Sequence, residues 1–278
     1  MCATCGCGAT DVRVDGRPAA DVHPHEPPQE HPHEHPHEHA HPGGHVHERL
    51  SGVVEIETAL LAKNDHLAGH NRAWLAERRI ATLNLMSSPG SGKTSLLCRT
   101  IAEVAPTRPV AVVEGDQETR IDAERIRATG APVVQINTGS GCHLDAAMLA
   151  RGLAELAPAP GSLVFVENVG NLVCPALFDL GERRKVVVIS VTEGDDKPLK
   201  YPHMFAAADL VVVNKTDLLP YVDFDVDRCR ADLRSLNPRA AVLALSARTG
   251  EGMPAWRKWL DAVSPQEPRT PSGMSRIP

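Results

Sequence analysis

Seven strand-sized apolar runs, "IATLNLM", "PVAVVEG", "PVVQINT", "SLVFVEN", "KVVVISV", "LVVVNK" and "AAVLALS", follow one another between residues 80 and 246. Several are apolar and β-branched at consecutive positions instead of at every second one. A strand with one wet face alternates, whereas a strand covered on both faces does not. The stretches between the runs are long enough for crossover helices, among them "DAERIRATG", closing on Gly130, and "HLDAAMLARGLAEL". The pattern predicts a doubly wound α/β domain around a mainly parallel sheet. Val53, Leu60, Leu67 and Trp74 recur every seven residues ahead of the first run, with Ile56 and Leu75 alongside, and predict an amphipathic helix ending near Arg79.

Composition divides the chain of 278 residues. No Phe, Tyr or Trp occurs before Trp74, and residues 1–50 carry eight Asp/Glu against three Arg, so nearly all of the formal charge of −6 lies there. From about residue 8 to 50, Pro, His, Glu, Gly and Asp dominate, too few large apolar groups to offset the entropy of ordering. The expected organisation is a Cys-rich site at 1–8, a disordered His-rich tract at 9–50, a folded domain at 51–263 and a loose, Pro-containing tail at 264–278. The remainder of the chain is close to neutral, so no nucleic-acid partner is expected. Strand-sized apolar runs and the lack of a continuous apolar N-terminal segment predict no membrane association and a cytoplasmic location. In a reducing compartment the seven cysteines are expected as thiols or ligands, with Cys98 and Cys229 as small core residues of helices.

The first run leads into "SSPGSGKTS". Gly90 and Gly92 let the backbone turn its N–H groups, those of Ser91 and Ser95 among them, toward phosphate oxygens. Lys93 brings a point charge, and Thr94 opens the next helix as a ligand for Mg²⁺. Ser87 stands where such loops usually have their first glycine. After "LVVV" comes "NKTD", Asn214, Lys215 and Asp217 included, and a later strand ends in "SART" with Ser246 and Ala247. A fixed carboxylate at Asp217 accepts from N1–H and the exocyclic amine of guanine, while adenine offers neither donor there; sites of this kind discriminate by roughly 10⁴. The stretches "NKTD" and "SA" resemble the base-recognition motifs of GTP-binding proteins, which implies GTP as the nucleotide, with the Ala247 backbone approaching the base oxygen.

Two acidic strand ends complete the nucleotide reading. "VVEGD" places Glu114 and Asp116 after the second strand, and "FVENVGN" places Glu167 and Gly170 after the fourth. Thr94 with Asp116 or Glu167, directly or through water, forms the expected Mg²⁺ shell, and Lys93, Thr94, Asp116 and Glu167 are the candidate catalytic residues. "ENVG" departs from the commoner Asp-x-x-Gly. Asn171 follows the glycine where many GTPases have a water-orienting Gln, so slow intrinsic hydrolysis is expected.

"GSGCHLD" sets Cys142 beside His143 at an expected helix start, and Cys174 follows Glu167 in "ENVGNLVCP". Read singly, Cys142 suits a buried core position and His143 a helix cap. Together with Cys174, a thiolate and imidazole set suits Ni²⁺ or Zn²⁺. Three ligands per chain leave a four-coordinate ion incomplete, which a two-fold dimer pooling ligands would remedy.

The stretches "MCATCGCG", "SSPGSGKTSLL", "VEGDQET", "RIRATG", "GCHLDA", "VENVGNLVCPALFDLGE", "VTEGDDKPLKYPHMFAAADL", "NKTDLLPY" and "SARTGEGM" resemble the HypB family of hydrogenase nickel-incorporation GTPases, in the nucleotide-dependent dimerising class of P-loop proteins. The resemblance implies GTP hydrolysis coupled to nickel delivery into the large subunit of a nickel–iron hydrogenase. It also implies a GTP-dependent homodimer and a small zinc-containing accessory protein of the HypA type. Related urease-accessory GTPases have Cys-Pro-His where this chain reads Cys174, Pro175, Ala176; a nickel-storage protein with a secondary GTPase is the other alternative.

Cys2, Cys5 and Cys7 form Cys-x-x-Cys-x-Cys. With Met1 removed, three sulfurs and an α-amine make a planar Ni²⁺ site. From the residues alone, metal binding stands beside exposed thiols without a role; the resemblance favours a tight nickel site. The tract carrying His23, His25, His31, His33, His35, His37, His39, His41, His45 and His47 reads as a nickel reservoir, against a solvated spacer or a purification tag. Its interleaved Pro and Glu argue against a tag. Imidazole alone does not choose nickel over zinc or copper.

Overall fold

This computed structural model describes residues 13–15, 17–18, 45–117, 120–139, 141–263 and 265, with residues 45–57 and the two shortest strands described by their backbone alone. Cys2, Cys5, Cys7 and the histidines from His23 to His41 lie outside the described residues, as do 266–278. His45 and His47 fall on the first helix, in the part described by its backbone alone.

All seven apolar runs form strands: β3 (Ala81–Ser87), β4 (Val110–Asp116), β5 (Val133–Asn137), β6 (Leu163–Glu167), β7 (Arg184–Ser190), β8 (Leu210–Asn214) and β9 (Ala241–Ala244). They pair in parallel in the order β5-β4-β6-β3-β7-β8-β9. Residues such as Leu83, Val112, Phe165 and Val188 face one way, against α2 (Lys93–Val104), α3 (Ile121–Arg127) and α9 (Met253–Asp261). Their neighbours Val113, Val166, Val187 and Val211 face the other way, against α1 (His45–Glu77), α4 (Ala146–Leu156), α7 (Pro202–Ala206) and α8 (Val226–Leu236). Two covered faces explain the unbroken apolar runs. The chain goes to one side of β3 for β4 to β6 and to the other for β7 to β9, so the loop after β3 opens at the topological switch point, where such sheets bind ligands.

Glu114 and Asp116 lie inside β4, not after it. Two stretches of the segment expected to lack structure are ordered. Strands β1 (Arg13–Val14) and β2 (Arg17–Pro18) form an antiparallel hairpin on the free edge of β5. The Asp-Gly pair between them is a strong short hairpin signal, and Asp15, at φ 45, exchanges backbone and side-chain hydrogen bonds with Gln135 and pairs with Arg127 at 3.1 Å. Helix α1 begins at His45, ahead of the expected boundary. No helix among the described residues is long and apolar enough to cross a membrane.

The buried stripe of α1 also differs from the expected heptad. Leu60 is 53% exposed and Trp74 half-buried, while Asn64, Ala68, Asn71 and Leu75 are buried. Two of the four are amides because they meet backbone groups of Ala146, Asp179 and Leu180, whereas Leu75 packs among apolar side chains. The segment ending in Gly181 (φ 87) presses so closely that a Cβ there would lie 2.5 Å from the Ala68 carbonyl oxygen.

Candidate functional site

Loop 88–92 joins β3 to α2, with Gly90 and Gly92 at φ 77 and 92. Gly92 is required twice over, since a Cβ would also stand 2.5 Å from Asn214 Nδ2. Lys93 at the head of α2 donates to Ser87 Oγ at 3.1 Å and stands 3.9 Å from Glu167. The serine that replaces the usual glycine thus holds the lysine at the loop. Ser91, Lys93 and Thr94 are buried and Ser95 is exposed.

Asn214 ties the two sequence motifs together. Its Nδ2 donates to Ser91 O at 3.0 Å, and its Oδ1 accepts from Lys215 N at 2.8 Å and Ala247 N at 3.1 Å. The Ala247 N–H, expected at a base oxygen, is held by Asn214 instead, because the amide lies between it and the loop. Lys215, at φ 63, reaches Gly90 O at 2.7 Å. Ser246 Oγ donates to Asp217 Oδ1 at 2.6 Å and accepts from Thr249 N at 3.1 Å, fixing the carboxylate.

Beside the loop, Thr94 Oγ1 donates to Glu167 Oε1 at 2.6 Å. Glu114 and Glu167 are directly opposed on β4 and β6, and each keeps one buried carboxylate oxygen without a hydrogen-bond partner. Burial, then the charges of Glu167 and Asp116, pushes the Glu114 carboxyl up to about 9, and burial likewise raises Glu167. Orphaned carboxylate oxygens beside a threonine hydroxyl, with Asp116 at the end of β4, are a donor set suited to a hard divalent cation such as Mg²⁺. Asn171, expected where other GTPases orient water, accepts from Val173 N at 2.7 Å and so is committed to its own turn.

The second cluster joins residues far apart in sequence. Cys142 Sγ lies 3.0 Å from Cys174 Sγ and 3.8 Å from His143 Nδ1, and the three ligand atoms all fall within 4.8 Å of one another. His143 stacks on Phe178 with centroids 3.9 Å apart, and burial pushes its imidazole below the usual range, which favours the neutral, ligating form. The pair Cys142–His143 precedes α4 instead of starting it: Asp145 is the N-cap and accepts from Met148 N at 2.7 Å. Cys174 opens the short α5 (Cys174–Leu177).

Sequence reasoning missed what holds these two loops. Asn64 Oδ1 accepts from Ala146 N at 2.9 Å while its Nδ2 donates to Asp179 O at 2.8 Å. Asn71 Nδ2 donates to Ala146 O at 2.8 Å and Leu180 O at 2.9 Å, and Arg72 grips both carboxylate oxygens of Asp179. Helix α1 therefore bridges the loop carrying Cys142 and His143 to the loop carrying Cys174. Below them runs a buried chain. Asn168 Oδ1 accepts from Leu144 N at 3.1 Å, Asn168 Nδ2 donates to Asn84, Asn84 to Glu182, and Glu182 accepts from Leu180 N at 2.7 Å. Asn168 adjoins Glu167, so this chain runs from the nucleotide side to the segment that follows Cys174. Polar residues at buried positions in or just after the apolar strands, Asn84 in β3 and Asn168 directly after β6, are the signal that could have found it.

A glycine-rich phosphate cradle at the switch point of a seven-stranded parallel sheet, facing an Asn-Lys-x-Asp motif, defines the P-loop GTPase fold. A family profile described as "CobW/HypB/UreG, nucleotide-binding domain" matches residues 81–244. The chain belongs to the HypB family of hydrogenase maturation factors: it is 51% identical over 282 residues to Hydrogenase maturation factor HypB of Azotobacter vinelandii, covering 94% of this chain and 92% of that one. The crystal structure of HypB from Archaeoglobus fulgidus is 41% identical and superposes with a TM-score of 0.69, covering 73% of this chain and 99% of that one. HypB from Helicobacter pylori, crystallised in complex with nickel, is 38% identical with a TM-score of 0.67, covering 71% and 93%.

Proposed function

We propose that this chain is a GTP-hydrolysing nickel metallochaperone that stores nickel and delivers it for maturation of a nickel–iron hydrogenase. The observation that carries the reading is the single stretch from Glu167 to Cys174: one end bonds to Thr94 in the nucleotide cradle and the other meets Cys142. In this reading the N–H groups around Gly90 to Ser95 and the Lys93 ammonium hold the phosphates. Asp217, steadied by Ser246, reads guanine, with Asn214, Lys215 and Ala247 framing the base. Thr94, Asp116 and Glu167 hold Mg²⁺, which when bound offsets charge on the phosphate oxygens. Water attacks the γ-phosphorus and GDP leaves with phosphate as the other product.

Nickel is cargo. Cys142, His143 and Cys174 hold it, with Zn²⁺ as a competing ion, and a second copy in a GTP-dependent homodimer completes the coordination. Cys2, Cys5 and Cys7 form a separate nickel site, the histidines of 9–50 a store, and 264–278 a tail. The partners are a HypA-type accessory protein and the hydrogenase large subunit, in the cytoplasm.

The test is complementation of a deletion strain with the full chain or with Cys174→Ser. Hydrogenase activity returning only with the parent, and urease unaffected throughout, is the expected result. Loss of urease instead would establish the urease-accessory alternative. Full rescue by a Lys93→Ala chain would establish nickel storage with a secondary GTPase.

A further inference from the structure

Helix α1 carries a second feature on its solvent side. His66 and His70 are exposed, four residues apart, and so share one face of the helix. Their Nε2 atoms stand 3.1 Å from each other, with ring centroids 4.7 Å apart in an edge-on arrangement. One ring must donate and the other accept for this contact to exist as a hydrogen bond. The same two nitrogens are placed for a shared cation.

The spacing decides the chemistry. With metal–nitrogen bonds of about 2.1 Å, two imidazoles at a right angle put their nitrogens about 3.0 Å apart, and a tetrahedral angle about 3.4 Å. The observed 3.1 Å lies nearer the right-angle value, the geometry of square-planar or octahedral Ni²⁺ and Cu²⁺. Two protein ligands leave the other positions to water, which the exposed face supplies. The backbone beneath is fixed, because Asn64, Ala68 and Asn71 are buried in the same turns and the two amides are hydrogen-bonded to distant loops. Little helix entropy therefore remains to be lost when both rings engage one ion.

We infer that His66 and His70 form a two-imidazole binding site for a nitrogen-preferring divalent cation, separate from the cluster of Cys142, His143 and Cys174. The site lies on the helix that begins at His45, so an ion there sits about 30 Å along α1 from the end of the histidine tract. The inference is independent of the proposed function, since it needs only the imidazole pair and a rigid helix.

Diethyl pyrocarbonate footprinting of the full-length chain, read by peptide mass spectrometry, tests it with Ni²⁺ as the probe. Trypsin cutting after Lys63 and Arg72 releases residues 64–72, which contain both histidines and no other. As Ni²⁺ is raised, modification of His66 and His70 is expected to slow together, at least fivefold and with one midpoint. In His66→Asn, protection of His70 is expected to need at least tenfold more Ni²⁺. Both rings are exposed, so the variant leaves the core untouched. Equal modification rates with and without saturating Ni²⁺ would overturn the inference, leaving a hydrogen-bonded pair only. So would His70 protection at an unchanged midpoint in His66→Asn, which would mean that His70 binds without its neighbour.

Discussion

The nucleotide cradle and the cysteine cluster occupy the same end of the sheet but are assembled in opposite ways. In the cradle, short contiguous motifs bond to one another: Asn214 to Ser91 and Ala247, Lys215 to Gly90, Ser246 to Asp217. The cluster draws Cys142 and His143 from one loop and Cys174 from another, and the two loops meet directly through the Leu144–Asn168 hydrogen bond and the thiols. Their spacing is set by Asn64, Asn71 and Arg72 on α1 and by the buried chain through Asn168, Asn84 and Glu182. A site built from contiguous motifs is damaged by changing its own residues. A site built from two loops is equally exposed to changes in its distant supports.

The largest expected effect lies in the cradle. Lys93→Ala removes the ammonium beside Glu167 and Ser87, and GTP hydrolysis should fall at least about 10²-fold, while nickel binding at Cys2, Cys5 and Cys7 persists. Phosphate release and nickel titration on the same preparation would check both halves. A parallel loss of N-terminal nickel binding would show that the two regions are not separable.

Next comes Asp217→Asn, which replaces an acceptor with an amide that donates to guanine in the wrong place. Two charge-assisted hydrogen bonds are lost, about 3 kcal/mol or ~10² in GTP affinity. Xanthosine triphosphate, which carries an oxygen where guanine has its amine, should bind the variant better than GTP does. Unchanged GTP affinity by titration calorimetry would remove Asp217 from base recognition.

The distant support gives a smaller but more diagnostic effect. Asn71→Ala removes the hydrogen bonds to the Ala146 and Leu180 carbonyls, a cost of about 2–3 kcal/mol in urea unfolding. Nickel affinity at the Cys142–His143–Cys174 cluster should weaken about tenfold with GTP affinity unchanged. If both ligands weaken equally, α1 supports the whole domain and not the cluster in particular.

Glu114→Gln should have the smallest effect, and it depends on pH. The folded carboxyl is pushed up to about 9 from 4.5, so between those values the unfolded chain has released a proton that the folded chain keeps. Stability contributed by this group is full below the unfolded value and is lost as pH rises toward 9. Without nucleotide or Mg²⁺, the variant should gain stability relative to the parent as pH rises from 5 toward 8. Urea titrations at the two pH values would show it; a gap independent of pH would contradict the buried protonated carboxyl.

The same contrast explains what was legible in the sequence. The seven strands and the cradle were readable because burial on both faces writes unbroken apolar runs and the phosphate loop writes glycines. The joint reading of Cys142, His143 and Cys174 came from residue type, and the three ligand atoms do meet. Their supports were not readable, because a helix stripe that buries Asn64 and Asn71 against backbone leaves no apolar period. The heptad of Val53, Leu60, Leu67 and Trp74 drew attention to the wrong face. The hairpin at Asp15 was hidden by composition, since a two-residue turn signal is outweighed when a whole segment is scored for Pro and His.

The central claim is that the nucleotide and the cysteine cluster are coupled through the stretch from Glu167 to Cys174. A metal shifts an equilibrium only by binding its two states differently, and the coupling is reciprocal. With Cys2, Cys5 and Cys7 replaced by Ser, the thiolate-to-nickel absorption reports sulfur-bound nickel at the cluster without interference from the histidine tract. Nickel titrations followed in this way, in Mg²⁺ with GDP or with a non-hydrolysable GTP analogue, measure the coupling, with dimerisation checked by light scattering. The expected result is at least about a fivefold difference in affinity between the two forms. Equal affinities, with the analogue-bound dimer verified, would contradict the account.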